Sequence, residues 1–230
     1  MHVRPVSTVP GAIQLLLLFG ITMQLGWHYL QPPPVARAVD LPLAPPVAVL
    51  RVAGLGDPVA LAKGLMLWLQ VYDNQPGVSI PFRALNYARV EQWLDRILEL
   101  DPRGQYPLLA ASRLYGEVPD TQRQRRMLEF IYSKFDDDPG NRWPWLAHAS
   151  VVAKHQLEDL PLALKYSRAI AHHATDHNIP HWASQMEFVI LEDMGELDTA
   201  RLLIGGLLSS GEITDTRELD FLQNRLKALE

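Results

Sequence analysis

Residues 87–102 read YARVEQWLDRILELDP. Tyr87, Val90, Leu94, Ile97 and Leu98 recur at the spacing of one face of an α-helix, and Asp101-Pro102 stops it. Working outward, the same punctuation returns. Asp138-Pro139-Gly140 lies 139 − 102 = 37 residues further on. Thr175-Asp176-His177-Asn178 follows at about the same step, and Ser210-Gly211 roughly 34 residues later, inside the period of helical repeats. The spacing predicts an all-α chain whose body is a solenoid of about four helix pairs. Asp57-Pro58 opens the first pair, with Leu61, Leu65, Trp68, Leu69 and Tyr72 on one face. A loop over 74–81 then leads to the helix ending at Leu100. The next pairs fall at 106–115 with 122–135, 144–155 with 161–173, and 180–194 with 197–209. A last helix over 215–229 has Leu219, Leu222, Leu226 and Leu229 on one side and charges elsewhere, the pattern of a helix that closes a solenoid's exposed end.

Upstream, residues 11–30 (GAIQLLLLFGITMQLGWHYL) contain no Asp, Glu, Lys or Arg. Twenty residues rise about 30 Å as a helix, the thickness of a hydrocarbon core. Residues 1–30 are therefore expected to hold a tail and a transmembrane helix, with Trp27, His28 and Tyr29 at the interface. A cleaved signal peptide using Ala36-Arg37-Ala38 is the alternative, but the apolar run exceeds the usual length of about 7–15 residues. Pro32, Pro33, Pro34, Pro42, Pro45 and Pro46 make residues 31–56 read as an extended linker or stalk. Within it, 47–52 has the composition of a strand or of a segment packed on the first helices. The helical domain is expected over 57–230.

All 26 acidic residues follow residue 39, while Arg4 and Arg37 precede it, so the remainder carries 19 − 26 = −7. That balance argues against nucleic acid as a partner. The chain has no cysteine, which excludes disulfides, thiolate catalysis and cysteine-ligated metal. An acid-free tail and a thiol-free body favour a single pass through a bacterial inner membrane, with the C-terminal domain in the periplasm.

The stretch Tyr87–Pro102 resembles the second helix of a tetratricopeptide (TPR) repeat with its closing Leu-x-Leu-Asp-Pro-like turn. Met194-Gly195-Glu196-Leu197-Asp198-Thr199-Ala200 resembles the TPR inter-helix turn, with Gly195 and Ala200 at the small-residue positions. The likeness covers roughly 57–210. It departs from the family in lacking the Leu-Gly pair of each first helix. In such proteins the first helix of each pair lines a concave groove. Counting back from Ala200 puts Trp182, Gln185, Val189 and Glu192 there; counting back from Ala163 adds Trp145, His148, Val152 and His155. The resemblance implies a protein-binding groove at these positions; otherwise Trp145 and Trp182 fill the core between repeats.

Other clusters are open to two readings. His173, His177 and His181 offer metal ligands if the helix runs on to His177, and otherwise form a solvated helix end. Asp136-Asp137-Asp138 lacks the alternation of a calcium loop and reads as a helix end. Arg123, Arg125 and Arg126 read as a solvated face or a contact for an anionic partner. There is no phosphate-cradling glycine loop, no G-x-S-x-G and no H-E-x-x-H, and seven of the nine serines lie in helices or turns without a nearby histidine and carboxylate pattern. The sequence therefore points to a non-catalytic, membrane-anchored adaptor without a cofactor, holding a protein partner within a membrane complex. The alternative is a histidine-rich metal-binding accessory protein.

Overall fold

The computed structural model describes residues 10–31, 38–173, 178–211 and 213–229. The chain divides into two units, residues 1–37 with 76–78 and residues 38–75 with 79–230. In the first, helix α1 (Gly11–Leu30) has a mean hydropathy of 1.3 over its most apolar window and no buried residue, and it is long and apolar enough to cross a membrane. Its Thr22 hydroxyl is satisfied within the helix, donating to the carbonyls of Leu18 and Phe19 at 2.9 Å.

The second unit is mostly helical and begins at residue 38 rather than at the expected 57. Residues 38–46 are extended, as their prolines dictate, but they do not run free. The Val39 N–H donates to Gln75 Oε1 (2.9 Å), and Gln75 Nε2 donates to the Val39 carbonyl (2.8 Å). Tyr72 donates to the Asp40 carbonyl at 2.8 Å, Arg89 to that of Leu41, and Trp93 Nε1 to that of Pro42 at 2.9 Å. Leu41 is buried. The segment 47–52 is neither strand nor stalk: Val47–Ala53 is a helix, α2, which buries Leu50. It meets α3 (Pro58–Gln70) at 105°.

Two two-residue strands, β1 (Asn74–Gln75) and β2 (Val78–Ser79), occupy the expected loop. Helix α4 (Tyr87–Leu100) follows, and its period-3.6 pattern buries Val90, Trp93, Leu94, Ile97 and Leu98. Helix α5 (Tyr106–Ala110) continues as a π turn over Ala111–Tyr115. Gly116 ends that turn against its own backbone; a Cβ there would lie 2.7 Å from the Ala111 carbonyl oxygen. Helix α6 is Thr121–Phe135. Helix α7 (Pro139–His155) starts at Pro139, five residues before the expected 144. Asp-Pro stops one helix but equally suits the first turn of the next, and here it is a start. Helix α8 (Leu160–His172) precedes α9 (His181–Ser184) and α10 (Met186–Asp193), which split the single helix expected over 180–194. Helices α11 (Leu197–Ser210) and α12 (Thr216–Ala228) complete the chain.

Acidic or amide side chains start many of these helices. Asp57, Asn86, Asp120, Asp159 and Asp215 each accept the backbone N–H two or three residues on, at 2.8–3.3 Å. Such caps are each worth about 1 kcal/mol. The helices pack in series, α3 on α4, α6 on α7, α7 on α8, α8 on α10, α10 on α11 and α11 on α12. Ala163 and Ala200 are fully buried, so α8 and α11 approach their neighbours closely. The Ser150 hydroxyl even reaches the Ala163 carbonyl at 3.0 Å. Gly195, with φ +79, turns α10 into α11.

Several of the polar ties between helices fall at similar offsets. They join Gln70 to Tyr106 and Glu129 to Lys165, 36 residues apart. Others join Glu91 to Arg126 at 35, Arg125 to Asp159 at 34, and Glu192 to Arg225 at 33. The joints are further held by Arg142, which is buried. It donates to the Pro102 carbonyl (2.8 Å), to Asp137 (2.9 Å) and to the Lys134 carbonyl, binding the end of α6 to the turn after α4.

Candidate functional site

Apolar side chains from α7, α9, α10 and α12 meet at one place on the surface. Val151, Trp182, Met186, Val189 and Phe221 line a pocket of about 240 Å³ with His155 and Gln185. Its openings are apolar: Trp182 is 56%, Phe221 48% and Val151 44% exposed. Trp182 sits on the four-residue α9, held on one side by an edge contact to Trp143 at 5.3 Å between ring centres. The break between α9 and α10 at Gln185 turns that amide inward, where it is buried and donates to Glu218 of α12. Below it, Arg225 of α12 bonds Glu192 of α10 at 2.7 and 3.0 Å, and Lys154 of α7 pairs with Asp193. Gln185, Lys154 and Glu192 are thus held by internal pairs, while Val151, Trp182 and Phe221 are left to solvent. A pocket of this size and lining takes one apolar side chain of a binding segment, with no charge required of it.

Of the expected groove residues, His155, Trp182 and Gln185 come together here. Trp145 and His148 do not join them. Trp145 is half-buried and donates from Nε1 to Gln105 Oε1 at 2.8 Å, so it fastens α7 to the start of α5. Glu192 serves Arg225, with its side chain only 7% exposed. The single wall expected from 145 to 192 is divided because polar partners 40 and 33 residues away in sequence draw Trp145 and Glu192 inward.

No local pattern sets a serine beside a histidine and a carboxylate, yet the fold brings such a group together. Ser112 Oγ lies 2.7 Å from His148 Nδ1, and Glu117 Oε1 is 3.5 Å from its Nε2. Their separation of 36 residues is the only signal, and it shows once the chain is aligned at that period. Ser112 is fully buried in the π turn, so the group fastens that turn to α7 rather than meeting a substrate. Burial pushes the His148 pKa down, Arg113 adds to this, and Glu117 partly offsets it.

The remaining clusters are bound up in the fold. Arg123 pairs with Asp120, Arg125 with Asp159 and Arg126 with Glu91, so the basic patch holds no unpaired arginine. Asp137 holds Arg142, Asp138 precedes α7 and bonds Asn141 at 2.9 Å, and Asp136 lies 3.5 Å from His173 Nε2. Helix α8 ends at His172, with His173 as its cap; His181 begins α9, and His177 lies outside the described residues. Among the described residues no group of three or more histidines and carboxylates is arranged to hold a metal ion. No protein-family model, curated protein or solved structure matches this chain.

Proposed function

We propose that the chain is a non-catalytic, membrane-anchored adaptor whose helical body is a TPR-like solenoid. The observation that carries this reading is the open apolar pocket of Val151, Trp182 and Phe221, built from successive helices and facing water. Large exposed aromatics around a pocket are costly to leave in solvent and are favoured anchors for a protein partner. The solenoid reading is supported by the recurrent offset of 33 to 36 residues in the inter-helix ties and by the buried small residues Ala163 and Ala200. The anchor reading is supported by the length and apolarity of α1. The thiol-free body and the acid-free N-terminal tail favour a periplasmic face in a bacterial inner membrane. The partner is a protein of a membrane complex that inserts an apolar side chain.

The experiment is site-specific photo-crosslinking in intact cells, with the reactive residue at Phe221 or, as control, at Leu43 on the other end of the helical body. A discrete adduct from Phe221 alone, abolished by Trp182→Ala, is the expected result. Equal adducts from both positions, or an adduct indifferent to Trp182→Ala, sinks the pocket assignment. A reporter active only outside the cytoplasm, fused after Glu230, tests the topology; activity solely from a cytoplasmic reporter overturns it.

A further inference from the structure

Helix α1 carries one amide, that of Gln24, for which the described residues supply no partner. The hydroxyl of the same helix behaves differently. The Thr22 hydroxyl is spent on the carbonyls of Leu18 and Phe19. The side chain of Gln24 makes no hydrogen bond among the described residues. Gln24 is the fourteenth residue of a 20-residue helix, so it lies about 20 Å along a span of about 30 Å, inside the hydrocarbon region. Water is absent there, and an amide must find another protein group. Among the described residues α1 is the single helix long and apolar enough to cross a membrane, unless the sharply bent α2 and α3 are counted as one span, so no second such span of this chain is at hand.

We propose that α1 is also a self-association surface, through which two copies pair in parallel with their Gln24 amides bonded to each other. This rests on the reading of α1 as a retained anchor. The occupant follows from the chemistry. A carboxamide presents one acceptor and two donors, so it is complementary to its own copy. Copies inserted with the same orientation are related by a twofold axis along the membrane normal, which sets each residue opposite itself. Gly20, one turn before Gln24, borders the same shallow notch, with Leu16 and Trp27 on its margins. It has no neighbouring atom within 4 Å of where a Cβ would stand, so it leaves space for the facing backbone to approach. The amide supplies the attraction, and the glycine lets the helices come near enough to use it.

The absence of cysteine makes the test direct in the full-length chain. Single cysteines are placed at Leu17 or Ile21, on the Gln24 side, and at Leu15 or Leu18, on the far side, with Gly20 kept throughout. Membranes are oxidised with copper phenanthroline and run without reductant. Disulfide dimers are expected from Leu17→Cys and Ile21→Cys, and at least about fivefold less from Leu15→Cys and Leu18→Cys, as the helical period dictates. Adding Gln24→Leu to Leu17→Cys lowers dimer yield at least about fivefold, while Gln24→Asn retains it, since a shorter amide keeps both bonding functions. Equal yields at all four positions, no dimer at any, or a dimer that survives Gln24→Leu each overturn the pairing. A parallel alkaline wash separates the two readings. Chain released by the wash means the anchor has failed and the pairing with it. Chain retained without dimers means that only the pairing is wrong and that α1 stands alone or beside another protein.

Discussion

The first and last segments of the helical unit pack in different ways. At the N-terminal end, residues 39–42 lie along α3 and α4, and four side chains grip their backbone. Leu41 is buried, and each of the four carbonyls of residues 39–42 accepts a side-chain hydrogen bond. At the C-terminal end, α12 buries Leu222 and pairs Arg225 with Glu192, but it leaves Phe221 and the neighbouring Trp182 in water. A seal made with carbonyls is self-contained. A seal made by an amphipathic helix keeps an apolar margin, and a partner can use that margin.

Removing the central plug at either end gives the largest effect. Leu41→Ala and Leu222→Ala each empty a buried site and should cost about 2–5 kcal/mol in urea unfolding. If Leu222→Ala costs less than about 1 kcal/mol, α12 is not a closing helix and the comparison breaks. Next comes Ala200→Trp, where α11 meets α10. Forcing a ring into this fully buried position should cost about 1–3 kcal/mol or more, and unchanged melting would mean that α11 does not pack closely there.

Between the ends, His148 makes stability depend on pH. Its folded-state pKa is lowered, by burial first, so the native chain keeps the imidazole neutral where the unfolded chain protonates. Its contribution is fully present above the unfolded value of about 6.5 and is lost as pH falls through the folded value. The slope from this one group cannot exceed about 1.4 kcal/mol per pH unit. His148→Gln should flatten the profile between pH 7 and the folded pKa; an unaltered profile would assign the slope to other groups. At the N-terminal seal, Trp93→Phe leaves the Pro42 carbonyl without its donor and should cost about 1 kcal/mol, with faster hydrogen exchange confined to the neighbourhood of residues 38–46. The smallest effect sharpens the contrast most. Phe221→Ser should stay within about 0.5 kcal/mol of the parent in stability while abolishing the partner crosslink from a reactive residue placed instead at Val151, on the same pocket. A large loss of stability would make Phe221 part of the closure rather than of a binding margin.

Much of the architecture was legible. The apolar period of α4 and α12, the aspartate cap of α3 and the apolar run of α1 are local signals, and local signals survive in a single sequence. The site was legible in part. Trp182 and Gln185 follow from counting along one helix, but Phe221 enters their pocket from α12, and no pattern within its own helix marks it. Ser112 and His148 met only through a 36-residue offset. The docking of residues 39–42 was invisible for a plainer reason. Its acceptors are carbonyls, which every residue has, so the prolines told of an extended chain and nothing told of its partners.

The grip on residues 39–42 also has a mechanical side. Any pull passed along the chain from α1 reaches Val39 before it reaches a helix of the body. There the paired bonds to Gln75 and those from Tyr72, Arg89 and Trp93 are strung along one short stretch, the first hold that the pull meets. The joint would act as a strain relief, taking up tension at the tether while α3 and the pocket at the far end keep their shape.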